Sequence, residues 1–297
     1  MTSRRFLLAW LVTLSGAVIE LTHIAPVAAD PPQPIEVIED NSFLIEEAYN
    51  QDAGVVQHIF TAQWGENRDE HPHEHGWNLN FTQEWPIFSE RHQFSYSLPF
   101  TFIRSGGAHQ DGIGDIFLNY RLQVLEESQR LPAFAPRFSL IVPTGSRDKG
   151  TGNGVVGYQW NLPFSKILAP RLAMHVNLGL TYLPGVRVPI EPEFPSFQSL
   201  SKSHSLLSYN LGASAIVALF PRFHLMLEWI GIFEEGLNDQ GKKEHDFNAV
   251  ISPGERAAVV NRDELQIVLG IAAPIGLTRP AQDHAVFLYF SVEHNFL

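Results

Sequence analysis

His71, His73 and His75 alternate, with Glu74 between the last two, in the run HPHEH. Alternate imidazoles on an extended loop could converge on one Zn or Cu ion, since imidazole nitrogen suits both. Spacing is the only support, and no group that would orient the rings can be named, so a solvated loop is the reading taken and no metal is expected. Ser203, His204 and Ser205, with His175, offer the parts of a lipid hydrolase, which needs a hydroxyl, a base and an orienting polar group within hydrogen-bond reach. Adjacency in sequence is not a triad. The stretch from Gly145 to Gly154, with Arg147, Asp148 and Lys149, is Gly-rich, but it follows a strand without opening a helix, as a phosphate cradle must. The expectation is therefore a protein without catalytic residues or cofactor.

The segments between these stretches carry a stronger pattern. From His92 to Phe102, residues Phe94, Tyr96, Leu98, Phe100 and Phe102 alternate with Gln93, Ser95, Ser97, Pro99 and Thr101. A period of two gives a strand two distinct faces, here one greasy and one polar. The pattern recurs. Ile116, Leu118, Tyr120 and Leu122 oppose Asp115, Asn119 and Arg121; Met174, Val176 and Leu178 oppose His175 and Asn177; Leu225, Leu227 and Trp229 oppose His224 and Glu228.

The 297 residues are 44% hydrophobic and carry a net charge of -12, which leaves no basic footprint for nucleic acid. Cys is absent, removing disulfides, thiolate metal sites and Cys nucleophiles. After the first thirty residues, no apolar run is long enough for a membrane-spanning helix. Residues 1–29 read as a signal peptide, with Arg4 and Arg5, an apolar run from Phe6 to about Val18, and Val27-Ala28-Ala29 before Asp30. Residues 30–52 then form a tether with Pro31, Pro32 and Pro34, and Phe43 to Tyr49 could make two helical turns that cap or partly enter a barrel mouth.

From residue 53 to 297 the chain divides into strand-sized pieces of about ten residues or more, long enough to cross a bilayer at a tilt. The obvious pieces number about eleven, while a single-chain bacterial barrel has an even count, so His245 to Ala258 must supply a twelfth. Short connections (Pro86 to Arg91, Phe220 to Arg222, Val260 to Arg262) contrast with long polar ones (Gly65 to His75, Thr144 to Gly152, Pro184 to Ser203, Glu235 to Glu244). The expected fold is all-β: a twelve-stranded antiparallel transmembrane barrel of the bacterial outer membrane, with a short N-terminal periplasmic segment. A soluble exported sandwich or lipocalin-like barrel is the alternative.

With the apolar face toward lipid, Glu84, Asp115, Asn119, Arg121, Arg137, His175, Asn177, Glu228 and Glu293 line the lumen. They could form a constriction that sorts solutes, or a static ion-pair network that fills a modest barrel. Phe117, Ile141, Ile216 and Ile230 make the same face partly apolar, which favours hydrophobic solutes.

The runs GIGDIFLNYRLQ (112–123), PTG (143–145), NLGLTYLPG (177–185) and NSFLIEEAYNQDAGVVQHI (41–59) resemble the outer-membrane family named for the meta-pathway of phenol degradation. The likeness covers nearly the whole mature chain. It implies a twelve-stranded channel passing small, often aromatic or hydrophobic molecules, with outer-membrane lipid around it and the barrel assembly machinery as its partner during insertion. A barrel enzyme acting on lipid and a non-conducting structural barrel are the other readings.

Overall fold

The computed structural model describes residues 40–67, 73–105, 108–190, 200–238, 241–262, 264–279, 281 and 283–296. The expected signal peptide, the tether up to residue 39 and His71 lie outside them.

The described chain is strand and connection, without helix. In order, the strands are β1 (Val55–Asn67), β2 (Glu74–Ile87), β3 (Ser89–Ser105), β4 (Ala108–Ile113) and β5 (Ile116–Leu122). There follow β6 (Ala133–Phe134), β7 (Arg137–Val142), β8 (Gly157–Ala169), β9 (Leu172–Ile190) and β10 (Leu200–Phe220). The last are β11 (Phe223–Leu237), β12 (Lys243–Arg262), β13 (Leu265–Ala272), β14 (Ile275–Gly276) and β15 (His284–Asn295).

All pairings are antiparallel, and β15 returns to β1 from Val55↔Asn295 to Glu66↔His284, which closes the sheet. Three staves of the wall are interrupted: β4 with β5, β6 with β7, and β13 with β14 are each two pieces of one stave. The barrel therefore has twelve staves, as the parity argument requires. The inferred twelfth strand is β12, which runs beyond the expected His245 to Ala258 at both ends. Its mid-strand Pro253 and Gly254 weaken the local signal, but β11 and β13 pair with it on either side.

Alternation sorts the wall. Phe60, Leu79, Phe100, Leu211, Leu227 and Phe290 point outward and are exposed, while Gln57, Asn119, His175, Ser214, Glu228 and Arg256 point inward and are buried. In water such an outer belt would be an aggregation surface. Against hydrocarbon it is the face the solvent prefers, and the closed ladder leaves no lipid-facing edge unpaired.

Two expectations are corrected. The stretches Pro184 to Ser203 and Glu235 to Glu244 are largely strand: β9 continues to Ile190, β10 begins at Leu200, β11 continues to Leu237 and β12 begins at Lys243. Above a bilayer both faces of a hairpin meet water, so polar side chains do not stop β11 and β12, which pair as far as Leu237↔Lys243. In β9 and β10 the turn signal Pro184-Gly185 is absorbed as a shift of register between Leu206↔Leu183 and His204↔Val186, and pairing continues to Leu200↔Ile190. Phe43 to Tyr49 is not helical. A helix would satisfy its backbone internally, whereas here inward side chains of the wall do so, as follows.

Candidate functional site

Residues 40–51 cross the inside of the barrel as an irregular chain and then turn into β1 at Val55. Ordered wall groups meet them residue by residue. Glu228 Oε1 accepts the N–H groups of Leu44 (2.9 Å) and Ile45 (3.2 Å). The Asn177 amide brackets Glu46, accepting its N–H (2.8 Å) and donating to its carbonyl (2.7 Å). Ser165 Oγ accepts from Ala48 N–H (2.7 Å), Gln123 donates to the Ala48 carbonyl (2.8 Å), and Gln93 accepts from Gln51 N–H (2.8 Å). Arg121 donates to the carbonyls of Glu47 (3.1 Å) and Tyr49 (2.6 Å), and Arg256 to those of Asp40 and Asn41. Among the described residues no backbone-to-backbone bond joins 40–51 to the wall, so side chains alone hold this plug.

Charge reinforces the fit. Two acids of the plug, Glu46 and Glu47, face three arginines of the wall, while a third, Asp40, takes neutral donors. Glu46 takes Arg137 Nε on both carboxylate oxygens, at 2.8 and 3.1 Å, with Arg121 Nη1 at 3.3 Å and Asn161 Nδ2 at 2.7 Å. Burial opposes ionisation of Glu46, but Arg137 and Arg121 outweigh it and hold the carboxyl below its usual range. Glu47 lies 3.7 Å from Arg256 Nη2. Asp40 accepts from Gln57 (2.7 Å), Tyr289 (2.6 Å) and Ser291 (2.8 Å).

Apolar seats complete the arrangement. The Phe43 ring lies 5.4 Å from Phe287 and 5.1 Å from Tyr289, centroid to centroid. A methyl group on Gly270 would come within 2.2 Å of that ring, and one on Gly212 within 2.3 Å of Ile45 Cδ1. The inward glycines are where the wall makes room for the plug.

The inward residues expected from alternation thus fall into three places. Arg121, Arg137, Asn119, His175, Asn177, Glu228 and Glu84 surround the plug; Gln93 donates to Glu84 (2.7 Å), and Glu84 lies 4.0 Å from Arg121. Asp115 sits apart, at the bulge between β4 and β5, where it accepts from Gly145 N–H (3.0 Å), Asn153 N–H (2.8 Å) and the Asn153 amide (3.2 Å). It ties down the Gly-rich stretch, which is a clasp over the wall. Glu293 lines a cavity of ≈ 50 Å³ beneath the plug with Asp40, Glu47 and Asp52.

The hydrolase parts do not assemble as expected. His204 pairs in register with Val186, and His175 with Ser214, which puts the two histidines more than about 30 Å apart along the hairpin. His175 instead meets Ser165 (2.7 Å), with Glu47 Oε1 at 3.6 Å from its Nε2. This resembles a triad in composition, but the Ser165 oxygen is buried and already accepts the Ala48 N–H. Its second hydrogen bond is to His175 Nδ1, with the donor set by the histidine tautomer. The trio clamps the plug. His73 and His75 are exposed at the start of β2, and no group of three metal-type ligands occurs among the described residues.

Alternation turned part of the wall side of this site inward and missed the rest of the wall and the plug. Asp40, Glu46 and Glu47, along with Arg256, Gln57, Ser165 and Tyr289, were outside the expected set; the signal was the acidic Glu46-Glu47 pair set against inward arginines.

A closed barrel with a lipid-facing belt and a charged, plugged lumen has the fold of an outer-membrane channel, and its place is the outer membrane. Among solved structures, an outer-membrane channel from Pseudomonas putida F1 is similar at TM-score 0.64 and 12% identity, over 84% of this chain and 98% of that one. The NanC porin matches at TM-score 0.47 and 6% identity, over 81% of this chain and 100% of that one. A TodX monoaromatic hydrocarbon channel matches at 0.43 and 8%, over 83% and 91%. No protein-family model and no curated protein matches the sequence.

Proposed function

We propose that the protein is a channel for passive passage of small, hydrophobic or aromatic molecules across the outer membrane, shut at rest by residues 40–51. The observation that carries this reading is that side chains, not the backbone ladder, hydrogen-bond the plug to the wall among the described residues. Twelve staves close the wall by themselves, and the plug adds no backbone bond to it among the described residues. Withdrawal would bare an apolar patch of Ala173, Ile216 and Met226 and the Phe43 seat beside Phe287, a lining suited to an aromatic ring. The likeness of NSFLIEEAYNQDAGVVQHI and its companion runs to the phenol meta-pathway family supports the same solute class. The partners this reading requires are lipid outside, solute inside and the assembly machinery at insertion. No cofactor or bond chemistry is involved. The test is single-channel recording of the purified full-length chain in planar bilayers. Stepwise openings that lengthen when Glu46 is changed to Gln are expected; a silent membrane for both proteins would refute the channel.

A further inference from the structure

The Glu46 side chain occupies a place built for a carboxylate, and most of that place belongs to the wall. Arg137 is oriented without help from the plug: Nη1 donates to Asn119 Oδ1 (3.0 Å) and to Ser139 Oγ, and Nη2 to Gln159 Oε1 (3.2 Å). These partners leave the Nε edge of the guanidinium facing Glu46. Asn161, on the adjacent strand β8, adds a donor at 2.7 Å, and its Oδ1 has no hydrogen-bond partner among the described residues. Arg121 brings a second positive charge at 3.3 Å.

The balance of charge is uneven. Arg121 keeps Glu84 nearby on the wall at 4.0 Å. Arg137 has neutral wall partners, and Glu46 is the carboxylate within ion-pair distance of it among the described residues. When the plug leaves, a guanidinium that cannot lose its proton is left in a confined lumen with no carboxylate in ion-pair contact among the described residues, and with one wall acid, Glu84, shared between it and Arg121. An anion can replace Glu46 there, and a planar carboxylate suits the guanidinium edge and the adjoining Asn161 amide.

We propose that Arg137, Asn161 and Arg121 form the recognition site for the carboxylate of a small organic acid passing through the channel, with Glu46 as its built-in competitor. The proposal rests on the channel reading and narrows its solute to one with a carboxylate on an apolar or aromatic body. The acid group would take the Glu46 place, and the body would run toward the apolar seats that Phe43 and Ile45 vacate.

The experiment uses the full-length chain in detergent, with Glu46→Ala to empty the place, and benzoate against its neutral isostere benzamide in titration calorimetry. A heat-dependent shift in gel migration confirms that the barrel is folded. Benzoate should bind the Glu46→Ala protein about tenfold or more tighter than benzamide does, as expected for charge-assisted bonds. Adding Arg137→Gln should erase that difference. In bilayers, benzoate but not benzamide should lengthen openings of the native channel. Equal binding of the two compounds, or benzoate binding indifferent to Arg137→Gln, overturns the proposal while leaving the channel intact. Selective benzoate binding to a protein that never conducts removes the channel reading and the claim of passage with it.

Discussion

Arg137 on β7 donates its Nε hydrogen to both carboxylate oxygens of Glu46, at 2.8 and 3.1 Å, across the space a solute would have to use. On the proposed channel reading, this contact must break before the barrel can pass a solute. Breaking a buried ion pair by removing one partner costs about 3–5 kcal/mol, because the survivor stays buried and unpaired.

Glu46→Gln keeps the shape and removes the charge. The ratio of plugged to open states should fall by roughly a hundredfold or more, since each ~1.4 kcal/mol is a factor of ten. Open probability in planar bilayers reads this directly. Unchanged openings would mean that the plug does not ride on Glu46.

Acid should act through the same carboxyl. Its value is lowered in the plugged state, where burial is outweighed by Arg137 and Arg121, relative to the withdrawn state, where water surrounds it. Ionised Glu46 therefore favours plugging fully above the ordinary carboxylate value of about 4.3, and the benefit is lost as pH falls through the lower plugged value. Native channels should open more below about pH 4, and this acid step should be absent from Glu46→Gln. Other lumen acids, Glu84 among them, remain in Glu46→Gln, so an acid step that persists there belongs to them and not to Glu46.

The wall can also be made too full. Gly270→Leu would drive a side chain into the Phe43 ring, and Gly212→Val would do the same to Ile45. Neither points at lipid, so the barrel should insert and show heat-dependent migration as before. The expected outcome is persistent conductance. Phe43→Ala should act in the same direction but more weakly, by the ~1.5–3 kcal/mol that burial of such a ring contributes. A shut Gly270→Leu channel would show that the seat can yield.

Why the sequence reveals one half of the site follows from these contacts. Arg121, Arg137 and Asn177 sit on strands whose greasy residues alternate, and position alone turns them inward. Phe43 to Tyr49 has no such frame. Its local pattern suits a helix, but its conformation is imposed by Glu228, Asn177, Ser165 and Gln123, which lie far along the chain and meet only when the barrel closes. Gly212 and Gly270 are silent for a related reason: an inward glycine adds nothing to a hydrophobic period, and its meaning is the ring or methyl that fills its space. The length of β9 was hidden too, because Pro184 and Gly185 read as a turn while the ladder with β10 absorbs them as a bulge and continues.

Asp115 carries the last prediction. The one-residue bulge between Ile113 and Phe117 against β3 turns its carboxylate toward the Gly145 to Asn153 stretch, where it accepts two backbone N–H groups and one side-chain amide. A methyl on Gly152 would meet Asp115 Oδ1 at 2.4 Å, and one on Gly145 would meet the Thr151 carbonyl at 2.5 Å, so the stretch closes only with glycine at both places. Hydrogen bonds to a charged acceptor contribute about 1.5–3 kcal/mol each, and losing three should free the stretch while the wall stays paired. Arg147 and Lys149 within it are exposed. Trypsin added to reconstituted protein should therefore cut there at least about tenfold faster in Asp115→Ala than in the native chain. Conductance should change far less than for Glu46→Gln, because the clasp and the plug have no hydrogen-bonded partner in common among the described residues. If Asp115→Ala instead opened the channel as fully as Glu46→Gln, the closure would reside in the outer stretch, and the plug would be only a filling.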